Sequence, residues 1–338
     1  MDINWGELSF GYNKTDYNVR CYHRDGKWGE LEISSSEHIN VHMAATGLHY
    51  GQEAFEGLKG YRGKDGKVRL FRWKENAKRM RASAQGIMMA EVPDELFEKA
   101  LKTVLKLNTK YIPPYGTGST LYFRPLLFGS GAQVGVKPAD EYMFMIFVTP
   151  VGPYFKEGFK PVAIEVVRDY DRAAPLGTGH IKVGGNYAAS LRAGDRAHKN
   201  GFGSVLFLDA LEKKYIDEAG PANFYGIKNN TYVTPQSKSI LPSITNMSLE
   251  QIARDIGLGV ERRSIAFSEL ETFEEAGACG TAAIISPIGK IYDHDSKETI
   301  NYGTEAGPVS KKLYETLRGI QEGTIEDKHG WTTVIDGI

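Results

Sequence analysis

The stretch GTGHIKVGGNYAASLRA, Gly177 to Ala193, carries the pattern on which the reading turns. Its single lysine, Lys182, stands between Ile181 and Val183, with glycines on both sides. A lysine with apolar neighbours in a glycine-rich segment can lie close to a planar ligand, where bulky side chains would collide. Its amine becomes a useful nucleophile when the surroundings favour the neutral form. On these features alone, an exposed lysine in a flexible turn is the commoner explanation. From about Asn186 to Lys199 the pattern reads as a long helix, so the lysine lies just ahead of a helix start.

Working outward, strand-like and helix-like segments alternate, which indicates a mixed α/β fold. Val68, Leu70 and Phe71 read as a short strand. Lys74 to Met89 reads as a helix, with Met80, Ala84, Ile87 and Met88 inward. A second helix begins at Pro93, a good first-turn residue. Two β-rich runs, Thr120 to Phe128 and Tyr142 to Val148, follow. Residues 151–161, VGPYFKEGFKP, have the composition of an exposed crossover. It divides a smaller N-terminal α/β domain, 1–150, from a larger C-terminal one, 162–338. There the pattern restarts with a strand at Val162 to Val167. Strands are expected near Val205 to Leu208, Tyr215 to Asp217, Phe224 to Ile227, Tyr232 to Thr234 and Ala282 to Ile285. Helices are expected near Asn246 to Ile256 and Pro308 to Ile320.

Composition narrows the function. The chain has 338 residues, 41% hydrophobic and 25% charged, with a formal net charge of -1. That is the balance of an ordinary folded protein with ample core, and it offers no electrostatic footprint for nucleic acid or an anionic membrane. Lys74, Lys78, Arg79 and Arg81 cluster at spacings that suit one solvated helix face. The longest apolar run, near Tyr142 to Val148, is far shorter than the roughly 20 residues of a membrane span. The start has no basic region followed by an apolar run, so cytoplasmic location is expected. Cys21 and Cys279 show no framework or metal-ligand spacing. Each Gly-Lys pair is followed by Trp28, Asp65, Val68 or Ile291, so no phosphate-binding GxxxxGK[ST] loop exists. GxGxxG at a strand-to-helix turn, HExxH and GxSxG are absent as well. No metal site is expected.

Several blocks, taken in order, are similar to the branched-chain aminotransferases. They are LHYGQEAFEGLKGYRG at 48–63, FRWKENAKRMRASA at 71–84, LYFRPLLFG at 121–129 and VGPYF at 151–155. KVGGNY at 182–187, YIDEAGPANFY at 215–225, LPSITNMSLEQIA at 241–253 and GTAAIISPIGKIY at 280–292 complete the match, which runs from about Phe10 onward. The resemblance implies a two-domain fold type IV pyridoxal-phosphate enzyme, with the cofactor between the domains. It also implies a homodimer in which each site can draw residues from the partner chain.

The same resemblance assigns the parts of a site. Lys182 would hold pyridoxal 5'-phosphate as a Schiff base and then shuttle the proton at the substrate's Cα. Glu218 would keep the pyridine nitrogen protonated, and strand alternation suggests that only one of Asp217 and Glu218 points inward. Tyr187 would hydrogen-bond the cofactor's phenolic oxygen. Arg79, backbone N–H groups at Ile244 and Thr245, and the Thr281 hydroxyl would hold the phosphate. Read alone, Arg79 is an ordinary exposed helix arginine, Thr245 a helix cap and Thr281 a strand residue. Phe10, Tyr50, Phe55, Tyr122 and Tyr154 match aromatic positions around the substrate side chain. Arg124 matches the arginine for glutamate's distal carboxylate, and the Thr281-Ala282 turn would receive the α-carboxylate. Some relatives carry a CxxC pair after that Thr-Ala. Here Ala283 and Ser286 occupy those positions, so redox control of that type is not expected.

The expected reaction moves the amino group of L-leucine, L-isoleucine or L-valine to 2-oxoglutarate, reversibly. A D-amino acid aminotransferase or an aminodeoxychorismate lyase-like enzyme would share the fold. A non-catalytic binding protein would share only the scaffold.

Overall fold

The run expected at Thr120 to Phe128 forms the spine of the first sheet, as the strand Thr120–Gly129. It pairs antiparallel with Tyr142–Val151 over its full length, Thr120 against Val151 and Gly129 against Tyr142. This computed structural model describes residues 3–152 and 159–338. Tyr154 lies outside the described residues, as does most of the crossover stretch.

Two units follow from the packing. The first comprises Met1–Tyr154, Ile181–Gly184 and Ile320–Ile338, and the second Phe155–His180 and Gly185–Gly319. In the first unit the sheet continues from Thr120–Gly129 through Leu58–Arg62 and Val68–Phe71 to Thr332–Ile335. The short strand Glu53–Phe55 also pairs with the spine, Phe55 opposite Leu126. Helix Asp94–Leu107 follows Pro93 as expected, with Asp94 and Glu95 in its first turn where the helix dipole favours acids. Its Phe97, Leu101, Val104 and Leu105 are buried, and Phe97 stacks on Phe144 at 5.8 Å.

Helix Trp73–Gly86 buries Met80 and Ala84 as expected, but it stops before Ile87. Met88 adopts a positive φ of 57° and is exposed, so it is not an inward residue.

In the second unit, six strands close on themselves. Ile216–Ala219, Ser204–Leu208, Val162–Val167, Ile284–Tyr292, Glu275–Gly280 and Ala222–Lys228 are paired in that order. The first then pairs with the last, Glu218 opposite Asn223. Closure removes the edges that an open sheet would expose. All four residues of Ile216–Ala219 are buried, and the segment 239–241 lies against the strand, Ser239 Oγ donating to Asp217 and Leu241 N–H to Glu218. Asp217 and Glu218 are therefore both buried, contrary to the alternation expected from a strand with one wet face.

The strand expected at Ala282 to Ile285 begins instead at Ile284. Thr281, Ala282 and Ala283 form the turn of a hairpin whose first arm is Glu275–Gly280, with Gly280 opposite Ile284. Thr281 is thus a turn residue. The arm EAGACG lacks the β-branched residues that mark a strand. At Gly277 the small residue is required by crowding, since a Cβ there would lie 2.5 Å from the Tyr225 ring.

Candidate active site

In the first unit, Ile181 to Val183 runs beside Glu53–Phe55, with Ala54 bridged to Val183. Ile181 and Val183 are buried in that unit's apolar core. Alternation sends Lys182 to the opposite side. Three hydrogen bonds fasten this piece of backbone. Lys182 N–H donates to Ser83 Oγ (2.9 Å), Phe55 N–H donates to the Lys182 carbonyl (3.1 Å), and Gly184 N–H donates to the Glu53 carboxylate. Two glycines permit the approach. A Cβ on Gly86 would lie 2.7 Å from Ile181 Cδ1, and one on Gly184 would collide with Glu53.

Four of the expected substrate residues gather near this lysine. Lys182 Nζ lies 4.8 Å from the centre of the Phe55 ring, and the Arg124 guanidinium lies 4.8 Å from the same ring. Arg124 Nη2 donates to Tyr122 Oη at 3.0 Å, while Phe10 meets the Tyr122 ring edge-on at 5.3 Å. Arg124 Nε is buried with no hydrogen-bond partner among the described residues. Tyr122 and Arg124 share a strand face, and Lys59, the register partner of Tyr122, brings a second cation 5.7 Å from the Phe10 ring. Gly57 leaves the space filled by the Tyr122 hydroxyl. Tyr50 lies at the end of helix Thr46–His49. It is 45% exposed, stacks on His49, and donates its hydroxyl to the Val134 carbonyl.

Arg79 is not a solvated helix arginine, as only 12% of its side chain is exposed. Its Nε and Nη2 donate to the two oxygens of fully buried Glu56 at 2.7 and 2.8 Å, the bidentate geometry a guanidinium favours. Asn76, on the same helix face, donates to Glu56 at 2.8 Å. Burial pushes the Glu56 carboxyl up. The charge and hydrogen bonds of Arg79, the charge of Lys182, and Asn76 outweigh it, so Glu56 titrates below the ordinary carboxyl range. Arg79 is held in one orientation by an acid that stays ionised.

The second unit holds the other expected residues. Tyr187 lies in the first turn of helix Gly184–Lys199, which starts two residues earlier than expected. Glu218 Oε1 accepts from Leu241 N–H (2.8 Å) and Asn223 Nδ2 (3.3 Å), and Arg172 Nη2 stands at 3.4 Å. A buried carboxylate with a cation and two donors is stabilised in its charged form. Arg172 also donates to the carbonyls of Gly179 and Ser239, tying the approach to Lys182 to the segment after Glu218. Neighbouring Asp217 is raised by burial, against the lowering effect of the serines at 239 and 237 and of Arg172.

Helix Ile244–Asp255 begins two residues earlier than expected, capped by Ser243 Oγ, which accepts from Asn246 N–H. Ile244 and Thr245 are therefore its first residues, whose N–H groups face outward from the helix end and suit an anion. Asn246 pins this end to the sheet, accepting from Tyr232 Oη and donating to Thr234 Oγ1. Among the described residues, no group of three or more His, Cys, Asp or Glu is placed to hold a metal ion.

The family model for amino-transferase class IV matches residues 53–291. The chain belongs to the class IV aminotransferases. A branched-chain-amino-acid aminotransferase of Haemophilus influenzae is 46% identical over 342 residues, 99% of each chain. The solved branched-chain amino acid aminotransferase of Escherichia coli is 29% identical, with a TM-score of 0.80 over 96% of this chain and all of that one. A T.th. branched-chain amino acid aminotransferase, solved with pyridoxamine 5'-phosphate, is 26% identical with a TM-score of 0.80, over 96% and 99% of the two chains. The fold of this class IV aminotransferase is accordingly the mixed α/β, type IV arrangement expected from the sequence.

Glu53, Glu56, Asn76 and Arg172 were assigned no role from the sequence. Glu56 lies inside the FEGLK string, and Asn76 stands three residues before Arg79, a spacing that could have paired the two on one helix face. Arg172 carries no local signal, because its partners lie at 179, 218 and 239.

Proposed function

We infer that this class IV aminotransferase moves the amino group of L-leucine, L-isoleucine or L-valine to 2-oxoglutarate, reversibly, with pyridoxal 5'-phosphate as cofactor. The observation that carries the substrate choice is the face where Arg124 lies against Phe55 and Tyr122, with Phe10 beside them. Aromatic rings accept a branched aliphatic side chain and exclude water. The guanidinium accepts the second carboxylate of glutamate, which would be costly to bury unpaired.

The residues present fit the cofactor. On the first unit, Lys182 offers the amine that holds the aldehyde. Arg79, kept in one orientation by Glu56, offers a fixed cation to the phosphate. On the second unit, the N–H groups of Ile244 and Thr245 and the hydroxyl of Thr281 suit the phosphate. Tyr187 suits the phenolic oxygen. Glu218, buried and supported by Leu241, Asn223 and Arg172, suits a protonated ring nitrogen. When bound, the cofactor supplies an aldehyde that takes up an amino group and a ring that accepts electrons.

The protein's own part is proton handling and positioning. Lys182 Nζ would carry the proton between the substrate's Cα and the cofactor's aldehyde carbon, its backbone fastened at Ser83, Phe55 and Glu53. Glu218 would keep the ring nitrogen protonated. The Thr281-Ala282 turn receives the α-carboxylate, common to every substrate, and Arg124 receives the group that differs.

A homodimer is part of this reading. Met43, Leu48, Tyr50, Val134 and Val136 are exposed apolar or aromatic residues, and Tyr50 and Val134 touch. Covering them with a second copy would give Tyr50 an apolar setting. No helix among the described residues is long and apolar enough to cross a membrane.

Single-turnover reaction of the pyridoxal-phosphate form with a panel of amino acids tests the function. Leucine, isoleucine, valine and glutamate should each discharge the cofactor's visible absorption. Discharge by D-alanine but by none of the four would overturn the assignment.

A further inference from the structure

The face that carries Arg124 also holds a carboxylate that the amino-transfer reaction does not use. Glu53 and Phe55 are two residues apart on one short strand and so point to the same side. Phe55 is the residue whose ring meets both Lys182 and Arg124. Glu53 is only part-exposed, and its carboxylate is anchored by the N–H of Gly184, a position where any side chain would collide with it. The acid is therefore fixed rather than loose. Burial raises its titration, opposed by the Gly184 N–H and by the charge of Arg124, which lies within electrostatic range. Charged groups near these rings among the described residues include Lys182 and Lys59, and Glu56 is matched to Arg79.

A pocket for two unlike substrates has a charge problem that Arg124 alone leaves half solved. With glutamate bound, the guanidinium is matched by the substrate. With leucine bound, it would be a cation shut in among rings with an apolar side chain, and its Nε already lacks a partner among the described residues. We propose that Glu53 is the resident counter-charge of Arg124, and that it sets the balance between apolar and dicarboxylate substrates. It compensates the guanidinium when the pocket holds a branched chain, and it opposes the distal carboxylate when the pocket holds glutamate or 2-oxoglutarate. The proposal rests on the assignment of this face to the substrate side chain.

The test uses two unreactive acids, glutarate and 4-methylpentanoate, bound to the pyridoxal-phosphate enzyme and followed by calorimetry. A unit charge several ångströms away in a half-buried setting shifts a binding constant by roughly three- to thirtyfold. Glu53→Gln should tighten glutarate by about that factor, while 4-methylpentanoate stays within about twofold or weakens. Glu53→Ala should give the same gain, because it too lacks the charge. Only the alanine variant should lose thermal stability, since glutamine keeps an acceptor for Gly184. That difference separates charge from positioning. Unchanged or weaker glutarate binding in both variants would overturn the proposal. So would equal tightening of both acids, which would place the effect at the shared α-carboxylate. A wild-type enzyme that binds neither acid would overturn the pocket assignment itself, and the proposal with it.

Discussion

Replacing Glu56 by glutamine tests whether Arg79 serves the phosphate. The carboxylate is fully buried and accepts four hydrogen bonds: Arg79 Nε at 2.7 Å, Arg79 Nη2 at 2.8 Å, Asn76 Nδ2 at 2.8 Å and the Gly57 N–H at 3.2 Å. Removing one partner of a buried ion pair costs about 3–5 kcal/mol, because the other charge stays buried and uncompensated. Glutamine keeps the volume and one acceptor oxygen, so a loss of about 3 kcal/mol is expected for the cofactor-free enzyme. At roughly 2–4 °C per kcal/mol, that lowers the melting temperature by about 6–12 °C. With pyridoxal phosphate bound, the phosphate offers Arg79 a counter-ion in place of Glu56, and a charged hydrogen bond there returns about 1.5–3 kcal/mol. The variant should therefore gain more from cofactor than the wild type does. Denaturant unfolding of both proteins, with and without cofactor, measures the difference. Equal losses in the two forms would separate Arg79 from the phosphate. A cofactor-free loss below about 1 kcal/mol would refute the buried-pair argument. The pH dependence has a definite sign. Glu56 titrates below its ordinary value of 4.5 in the folded protein, so its contribution is complete above that value. It is lost as pH falls through the folded value, and the glutamine variant should show a shallower acid limb.

Lys182→Ala should abolish both the visible absorption of lysine-bound cofactor and steady-state transfer; retention of both would remove the lysine from its central role. Arg124→Met should leave leucine's half-reaction nearly unchanged while slowing those of glutamate and 2-oxoglutarate. A hydrogen bond to a charged group is worth roughly 1.5–3 kcal/mol, so a loss of about ten- to a hundredfold in kcat/KM is expected, and an equal loss for leucine would reassign the arginine. Mild peroxide should leave activity nearly intact. Cys279 is buried, with its thiol pushed up to about 12 by burial, and Cys21 is buried and raised for the same first reason. Reversible loss rescued by a dithiol would show that one of them is accessible to oxidation after all.

What was legible in the sequence is what local chemistry determines. Pro93 followed by two acids marks a helix start, and Phe97 to Leu105 marks its buried face. Lys182 was singled out by the family resemblance, since its own neighbours read as an exposed turn; the fold shows those neighbours, Ile181 and Val183, buried in the core. The rest depended on partners remote in sequence. Asp217 and Glu218 are both buried because Ser239, Leu241 and Arg172, remote in sequence, lie against them, and no four-residue stretch announces such cover. Glu275–Gly280 was missed because its residues were selected by what lies against them, such as the Tyr225 ring, rather than by strand propensity. Arg79 read as a solvated cation because its counter-ion is 23 residues away, on another element. Glu56 shows the general point most sharply. Its place in FEGLK was visible as a string, but its function is electrostatic and belongs to the pair. A buried carboxylate is stable only beside a cation, and Arg79 is oriented only beside a carboxylate, so neither residue has a readable role until the fold brings both together.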